Sequence, residues 1–236
     1  MNHISFSSAV MSTNSKGYLA VIPDIKCYSP KEGPLLRERD PVDVAKRLVD
    51  CGAPALSVVT EAKNFGGSLE LLRSITGTVS VPVLRKDFIT NTVMLKETAD
   101  YGATAVLLIC AYLNEDNLPH LYNAALALGI EPLVEVNNEA EMAMAKRIGA
   151  HLIAINNRNI LELEKDHGGT ERTISLSPHA PRDAVLISAS GITSRDEATQ
   201  LAKSGVHGIL VGTALWLSQD ICETYASLRM ERGGNG

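Results

Sequence analysis

The chain has 236 residues, 45% of them hydrophobic and 4% aromatic, and a formal net charge of −5 at pH 7. This is enough apolar material for a large core, in one α/β barrel or in two small domains. The acidic balance and the lack of a Lys/Arg stripe with interleaved aromatics argue against nucleic acid, and no apolar run approaches the ~20 residues that a membrane span needs.

The first predicted strand, Leu19–Ile25, carries Asp24 and runs into Lys26 and Ser29-Pro30. A helical pattern and Cys51-Gly52 lead to a second strand, Ala55–Val59, which ends in Thr60-Glu61. The third, Val81–Leu84, is a short apolar run suited to a strand covered on both faces, with Arg85, Lys86 and Asp87 following it. Desolvating an ammonium costs several kcal/mol unless an anion compensates it, so Lys86 at that strand end reads as an acid or an anion receptor. The fourth strand is Ala105–Ile109, and the fifth, Glu131–Val136, carries Glu135. The sixth, Leu152–Asn156, continues into Asn157 and Arg158. Leu161 to Pro181 is polar and long for a connection, so it is expected to hold a loop and a short helix, with Gly168–Gly169 as its mobile point. The seventh strand, Ala184–Ser188, leads to Ser190-Gly191, and the eighth, Gly208–Val211, to Gly212-Thr213. The terminal GGNG should fray.

Four times an amphipathic helix ends at a glycine (Gly52, Gly102, Gly149, Gly205) and a strand follows directly. Eight strands alternating with helices predict a single (β/α)8 TIM barrel over residues 1–236. No G-x-G-x-x-G opens a helix after the first strand, which disfavours a doubly wound sheet.

In such a barrel the chemistry sits at the strands' C-terminal ends, where these polar residues collect. Lys26, Lys86 and Glu135 can donate a proton to a carbonyl or a leaving hydroxyl and can anchor a substrate carboxylate. The small residues of SASGI and VGTAL can turn backbone N–H groups toward a phosphate, with Arg158 and Ser29 reaching inward. Phe88, next to the Lys86 segment, is a better candidate than Phe65 for contact with an aromatic substrate.

Cys27, Cys51, Cys110 and Cys222 are far apart and form no C-x-x-C pair, so they read as reduced thiols of a cytoplasmic protein, without disulfides. Cys27 reads as a packing residue rather than a nucleophile. His3, His120, His151, His167, His179 and His207 are scattered, so neither metal nor cofactor is expected. The helix faces around Met142, Met144 and Trp216 fit either barrel packing or an interface, which leaves monomer and homodimer open.

IKCYSPKEG, ALSVVTEAKNFGGSLE, VPVLRKDFI, LVEV, INNRNI, SASGI and LVGTAL together resemble the indole-3-glycerol-phosphate synthases, in order and spacing from about Val21 to Leu217. The resemblance implies a carboxy-lyase of tryptophan biosynthesis that cyclises 1-(2-carboxyphenylamino)-1-deoxyribulose 5-phosphate to indole-3-glycerol phosphate, losing carbon dioxide and water. It implies Lys86 as general acid, Lys26 as holder of the departing carboxylate, Glu135 as base in the dehydration and Asn156 as orienter of hydroxyls. Asp24 stands in the same catalytic group. Ser29, Arg158, Ser190, Gly191, Gly212 and Thr213 would grip phosphate, while Pro30, Glu61, Phe65, Phe88, Ile109 and Ile160 would line the pocket.

The chain departs from the family pattern in three places: Asp24 replaces a glutamate, Ala189 replaces the glutamate of SESGI, and only about eighteen residues precede the first strand. These departures also fit a paralogue acting on a related phosphorylated arylamino-ketose, or a non-catalytic phosphate-binding barrel.

Overall fold

A computed structural model describes residues 4–163 and 168–232; His3, His167 and the terminal GGNG lie outside the described residues. In chain order the elements are α1 (Phe6–Asn14), β1 (Ala20–Ile25), a short ribbon of β2 (Tyr28–Ser29) and β3 (Gly33–Pro34), α2 (Pro41–Asp50), β4 (Leu56–Val59), α3 (Ala62–Phe65), α4 (Leu69–Thr76), β5 (Val83–Lys86) and α5 (Thr92–Asp100). There follow β6 (Ala105–Ile109), α6 (Asn117–Ala127), β7 (Glu131–Val136), α7 (Glu139–Arg147), β8 (Leu152–Asn156), α8 (Glu171–Leu176), β9 (Val185–Ala189), α9 (Arg195–Lys203), β10 (Gly208–Val211), α10 (Thr213–Leu217) and α11 (Ile221–Leu228).

Eight parallel strands close a barrel in the order β1-β10-β9-β8-β7-β6-β5-β4. Closure falls on β1, which pairs Ala20 with Gly208 on one side and Asp24 with Ser57 on the other. The strands lie close to their predicted positions, with one informative shift: β5 starts at Val83 and runs through Lys86. Arg85 and Lys86 are therefore strand residues with opposite side-chain directions.

Period-2 alternation divides the apolar residues into two cores. In β6, Val106 and Leu108 face the helices, while Ala105, Leu107 and Ile109 fill the barrel. The four helix-terminal glycines all have positive φ, as the abrupt turn into each strand requires. Met142 and Trp216 are core residues of the outer layer rather than surface anchors, and Met144 packs partly buried against the same layer.

The residues before β1 form a stopper at the end of the barrel opposite the strand C-termini. Phe6 and Val10 of α1 join the interior cluster beside Ala20, Leu84, Leu107 and Leu133. The Ser7 N–H donates to Glu131 Oε2 at 2.8 Å, Glu131 Oε1 meets His151 Nε2 at 3.0 Å, and Asn14 Nδ2 donates to the His207 carbonyl at 2.8 Å.

The expectation of four reduced thiols is corrected for one pair. Cys51 and Cys222 form a disulfide across 171 residues of sequence, with their Cα atoms 5.9 Å apart, while Cys27 and Cys110 are free. Barrel closure sets the C-terminus of α2 beside the N-terminus of α11, a proximity that motif spacing does not reveal.

Candidate active site

The two cations at the end of β5 have different jobs. Arg85, 2% exposed, points into the helix layer. It donates to the Met94 carbonyl at 2.8 Å, to Thr60 Oγ1 at 3.1 Å, to Thr98 Oγ1 at 3.2 Å and to Asp87 Oδ2 at 3.0 Å. It is thus a bracket between β5 and α5. Lys86 turns inward, where its ammonium lies 3.4 Å from Asp24 Oδ2. Asp24 is also buried; its Oδ1 accepts from Ser57 Oγ at 2.6 Å, and its carbonyl accepts from Trp216 Nε1 at 2.9 Å.

Lys26, just beyond β1, is buried with its ammonium 5.8 Å from the centre of the Phe65 ring. Opposite, Glu135 on β7 accepts from Asn156 Nδ2 at 3.0 Å. Asn156 Oδ1 accepts from the Arg158 N–H at 3.0 Å, so both ends of this amide are engaged and fix the Glu135 carboxylate. The next residue, Asn157, faces the other way. Its Nδ2 donates to Ser188 Oγ and to the Ala189 and Ser190 carbonyls at 3.0–3.1 Å, and its Oδ1 accepts from Thr173, tying the ends of β8 and β9 to α8.

Two adjoining cavities open at this end. One, of about 360 Å³, is lined by Val59, Leu107, Phe65, Phe88, Ile109 and Ile160, with Lys26, Glu61, Lys86, Asp87 and Glu135 supplying the polar groups. The other, of about 370 Å³, is lined by Asp24, Arg158, Ser190, Gly191, Ile192, Thr193, Leu210, Val211, Gly212 and Thr213, and again by Lys26 and Lys86. The two lysines are common to both linings.

The second cavity is built from backbone that tolerates little side chain. Ser190 and Gly191 have φ of +63° and +73°, and a Cβ on Gly191 would lie 2.9 Å from the Gly169 nitrogen. A Cβ on Gly168 would lie 2.9 Å from Arg158 Cγ. The Gly168–Gly169 pair, expected from sequence to be a mobile point, is thus packed against Arg158 and Gly191.

Of the residues singled out from sequence, Lys26, Lys86, Glu135, Glu61, Phe65, Phe88, Ile109 and Ile160 share the first cavity, and Asp24, Arg158, Ser190, Gly191, Gly212 and Thr213 the second. Glu61 also caps α3, its carboxylate accepting from the N–H groups of Lys63, Asn64 and Phe65. Ser29 and Pro30 belong to the β2–β3 turn and stand apart from both linings; Ser29 Oγ accepts from the Lys31 and Glu32 N–H groups at 3.4 Å. Asn156 lies behind Glu135. Burial raises the Cys27 thiol pKa, which disfavours its thiolate, and pushes Cys110 up to about 12 with help from Glu141 and Glu135. Among the described residues no group of three or more His, Cys, Asp or Glu is placed to hold a metal, and no helix is long and apolar enough to cross a membrane.

Sequence reasoning missed Ser57, and it named Asn157 only as one of the polar residues ending the sixth strand, without its role in tying β8 and β9 to α8. Ser57 sits in an apolar strand and shows its purpose only through the β1–β4 register. Strand alternation was the available signal for Asn157, since it must face away from Asn156.

The model for indole-3-glycerol phosphate synthase matches residues 1–228. An indole-3-glycerol phosphate synthase of Streptococcus gordonii is 40% identical over 91% of this chain and 83% of its own length, and one of Thermococcus kodakarensis is 39% identical over 85% and 88%. Among solved structures, 3-hexulose-6-phosphate synthase from Salmonella typhimurium superposes with a TM-score of 0.72 at 16% identity, covering 89% of this chain and 96% of that one, a likeness of fold. The chain belongs to the indole-3-glycerol phosphate synthase family of carboxy-lyases.

Proposed function

We propose that the chain converts 1-(2-carboxyphenylamino)-1-deoxyribulose 5-phosphate to indole-3-glycerol phosphate, with the aryl group in the first cavity and the phosphate in the second. One observation carries this reading: Lys26 and Lys86 line both cavities. A substrate spanning the two holds its carbonyl and carboxylate between its ends, beside two ammonium groups.

Lys86 gives a proton to the ribulose carbonyl oxygen as the ring carbon bearing the carboxylate attacks the carbonyl carbon and a C–C bond forms. Lys26 pairs with the carboxylate until its bond to the ring breaks. Carbon dioxide leaves, and the electron pair restores the aromatic ring. The hydroxyl made in the first step then departs as water after protonation by an ammonium, and Glu135 accepts the proton shed as the indole double bond forms. Asn156 acts through Glu135, which it orients with a 3.0 Å hydrogen bond. Arg158 and the backbone around Ser190, Gly191, Gly212 and Thr213 hold the phosphate, and the Ser29-Pro30 turn shapes the rim.

The test is fluorescence of the indole product when the purified chain meets this substrate. Lys86→Ala should lose about 10²–10⁴ in kcat, as expected for a general acid. No indole from folded wild-type protein would remove the proposal.

A further inference from the structure

We propose that Tyr112 is a specificity-determining residue, which holds Phe88 in place as the outer wall of the aryl cavity and so limits the ring substituents the site accepts. This rests on the reading that the aryl group occupies that cavity.

From the barrel axis outward, Ile109 is 4% exposed, Phe88 is half-buried and Tyr112 is 40% exposed. The Phe88 and Tyr112 ring centroids are 4.7 Å apart with planes inclined at 34°, a tilted contact within the range of about 4.5–7 Å at which aromatic pairs attract. Phe88 lines the cavity and also packs against the barrel interior. Tyr112 backs it from the solvent side.

Both backbones are anchored. The Phe88 N–H donates to Asp87 Oδ1 at 2.8 Å, and Asp87 Oδ2 accepts from Thr60 and Arg85 at 2.6 and 3.0 Å. Tyr112 ends the tight turn Cys110–Tyr112, closed when the Leu113 N–H donates to the Ile109 and Cys110 carbonyls. With both main chains fixed, the freedom left to this wall is rotation of the Phe88 ring, which the Tyr112 ring opposes. Partial burial and the Glu61 carboxylate raise the Tyr112 pKa, so the pair stays neutral. A bulky substituent on the aryl group must swing Phe88 outward and break the stack.

The experiment compares wild type, Tyr112→Ala and Tyr112→Phe on the unsubstituted substrate and on its ring-methylated analogue. Tyr112→Ala should raise KM for the unsubstituted substrate about fivefold with kcat little changed, and reduce the kcat/KM preference for it over the methylated one by about tenfold, the scale on which pockets discriminate a methylene. Tyr112→Phe should keep the wild-type preference. An unchanged preference in Tyr112→Ala, or Tyr112→Phe behaving like Tyr112→Ala, overturns the inference. Calorimetric Kd values for the ribitol phosphates, the reduced non-cyclising forms of both substrates, give a second reading. Turnover with unshifted preference removes the role of Tyr112 and keeps the reaction. A shifted Kd ratio without turnover removes the reaction and keeps the role. Neither turnover nor binding removes both.

Discussion

The Ser57 hydroxyl donates a 2.6 Å hydrogen bond to one oxygen of Asp24, whose other oxygen lies 3.4 Å from the Lys86 ammonium. All three sit on adjacent strands, with Asp24 and Ser57 in register between β1 and β4 and Val59 opposite Lys86 between β4 and β5. The short Asp24 side chain is thereby held against the lysine.

Ser57→Ala should lower kcat about tenfold with KM little changed, since a hydrogen bond to a charged group is lost while the binding surfaces stay intact. Asp24→Asn should lower it further. Steady-state indole fluorescence reads both, and full kcat in Ser57→Ala would show that Asp24 holds its place unaided.

Glu135→Gln should uncouple the two halves of the reaction. The amide keeps a carbonyl that can accept from Asn156 but cannot take up a proton, so carbon dioxide release should persist while indole formation slows about 10²-fold or more. Parallel measurement of both products decides; equal losses would move Glu135 into the earlier step.

Gly191→Ala adds a Cβ 2.9–3.0 Å from the Gly169 backbone at a φ of +73°. The strain, about 1–2 kcal/mol in the left-handed region, should displace Gly168–Gly169 and raise KM several-fold with a smaller effect on kcat. Phosphate inhibition should weaken in parallel. Unaltered KM would mean that this wall takes no part in binding.

Removing the Cys51–Cys222 bridge should destabilise the protein without touching the chemistry. It spans 171 residues, so Cys51→Ser with Cys222→Ser, or reduction of the wild type, should cost about 2–5 kcal/mol. Denaturant unfolding should show a lower midpoint at unchanged kcat. An unmoved midpoint would show that the bridge does not form in solution.

His207 makes stability depend on pH. Burial, then the Arg232 charge, holds it down at about 4 against an ordinary 6.5, while its Nδ1 accepts from the Leu186 N–H at 3.0 Å. The folded state keeps the neutral ring, so its contribution is complete above about pH 6.5 and is lost as pH falls from 6.5 toward 4. His207→Gln should flatten that part of the profile in thermal melts recorded across this range. Parallel profiles would contradict the assignment.

The barrel was legible because parallel strands write themselves as apolar runs, and all but the fourth of those runs carried polar residues at or just beyond the C-terminal end. What stayed hidden was direction. Arg85 and Lys86 are neighbours in sequence, yet one braces a helix and the other enters the cavity; only strand extension through Lys86 separates them. Ser57, the Cys51–Cys222 bridge and the Phe88–Tyr112 stack all depend on contacts between distant segments, which a linear reading cannot order. Ser29 and Pro30 were placed by motif; Ser29 pairs with Gly33 in the β2–β3 ribbon, and neither residue is in the lining of the two cavities.

The helix ahead of the first strand has a bearing on traffic. Phe6 and Val10 extend an interior that side chains already fill, so the two cavities at the strand C-termini have no passage through the barrel behind them. In the proposed reaction, carbon dioxide released beside the lysines would leave by the same mouth through which the sugar phosphate enters.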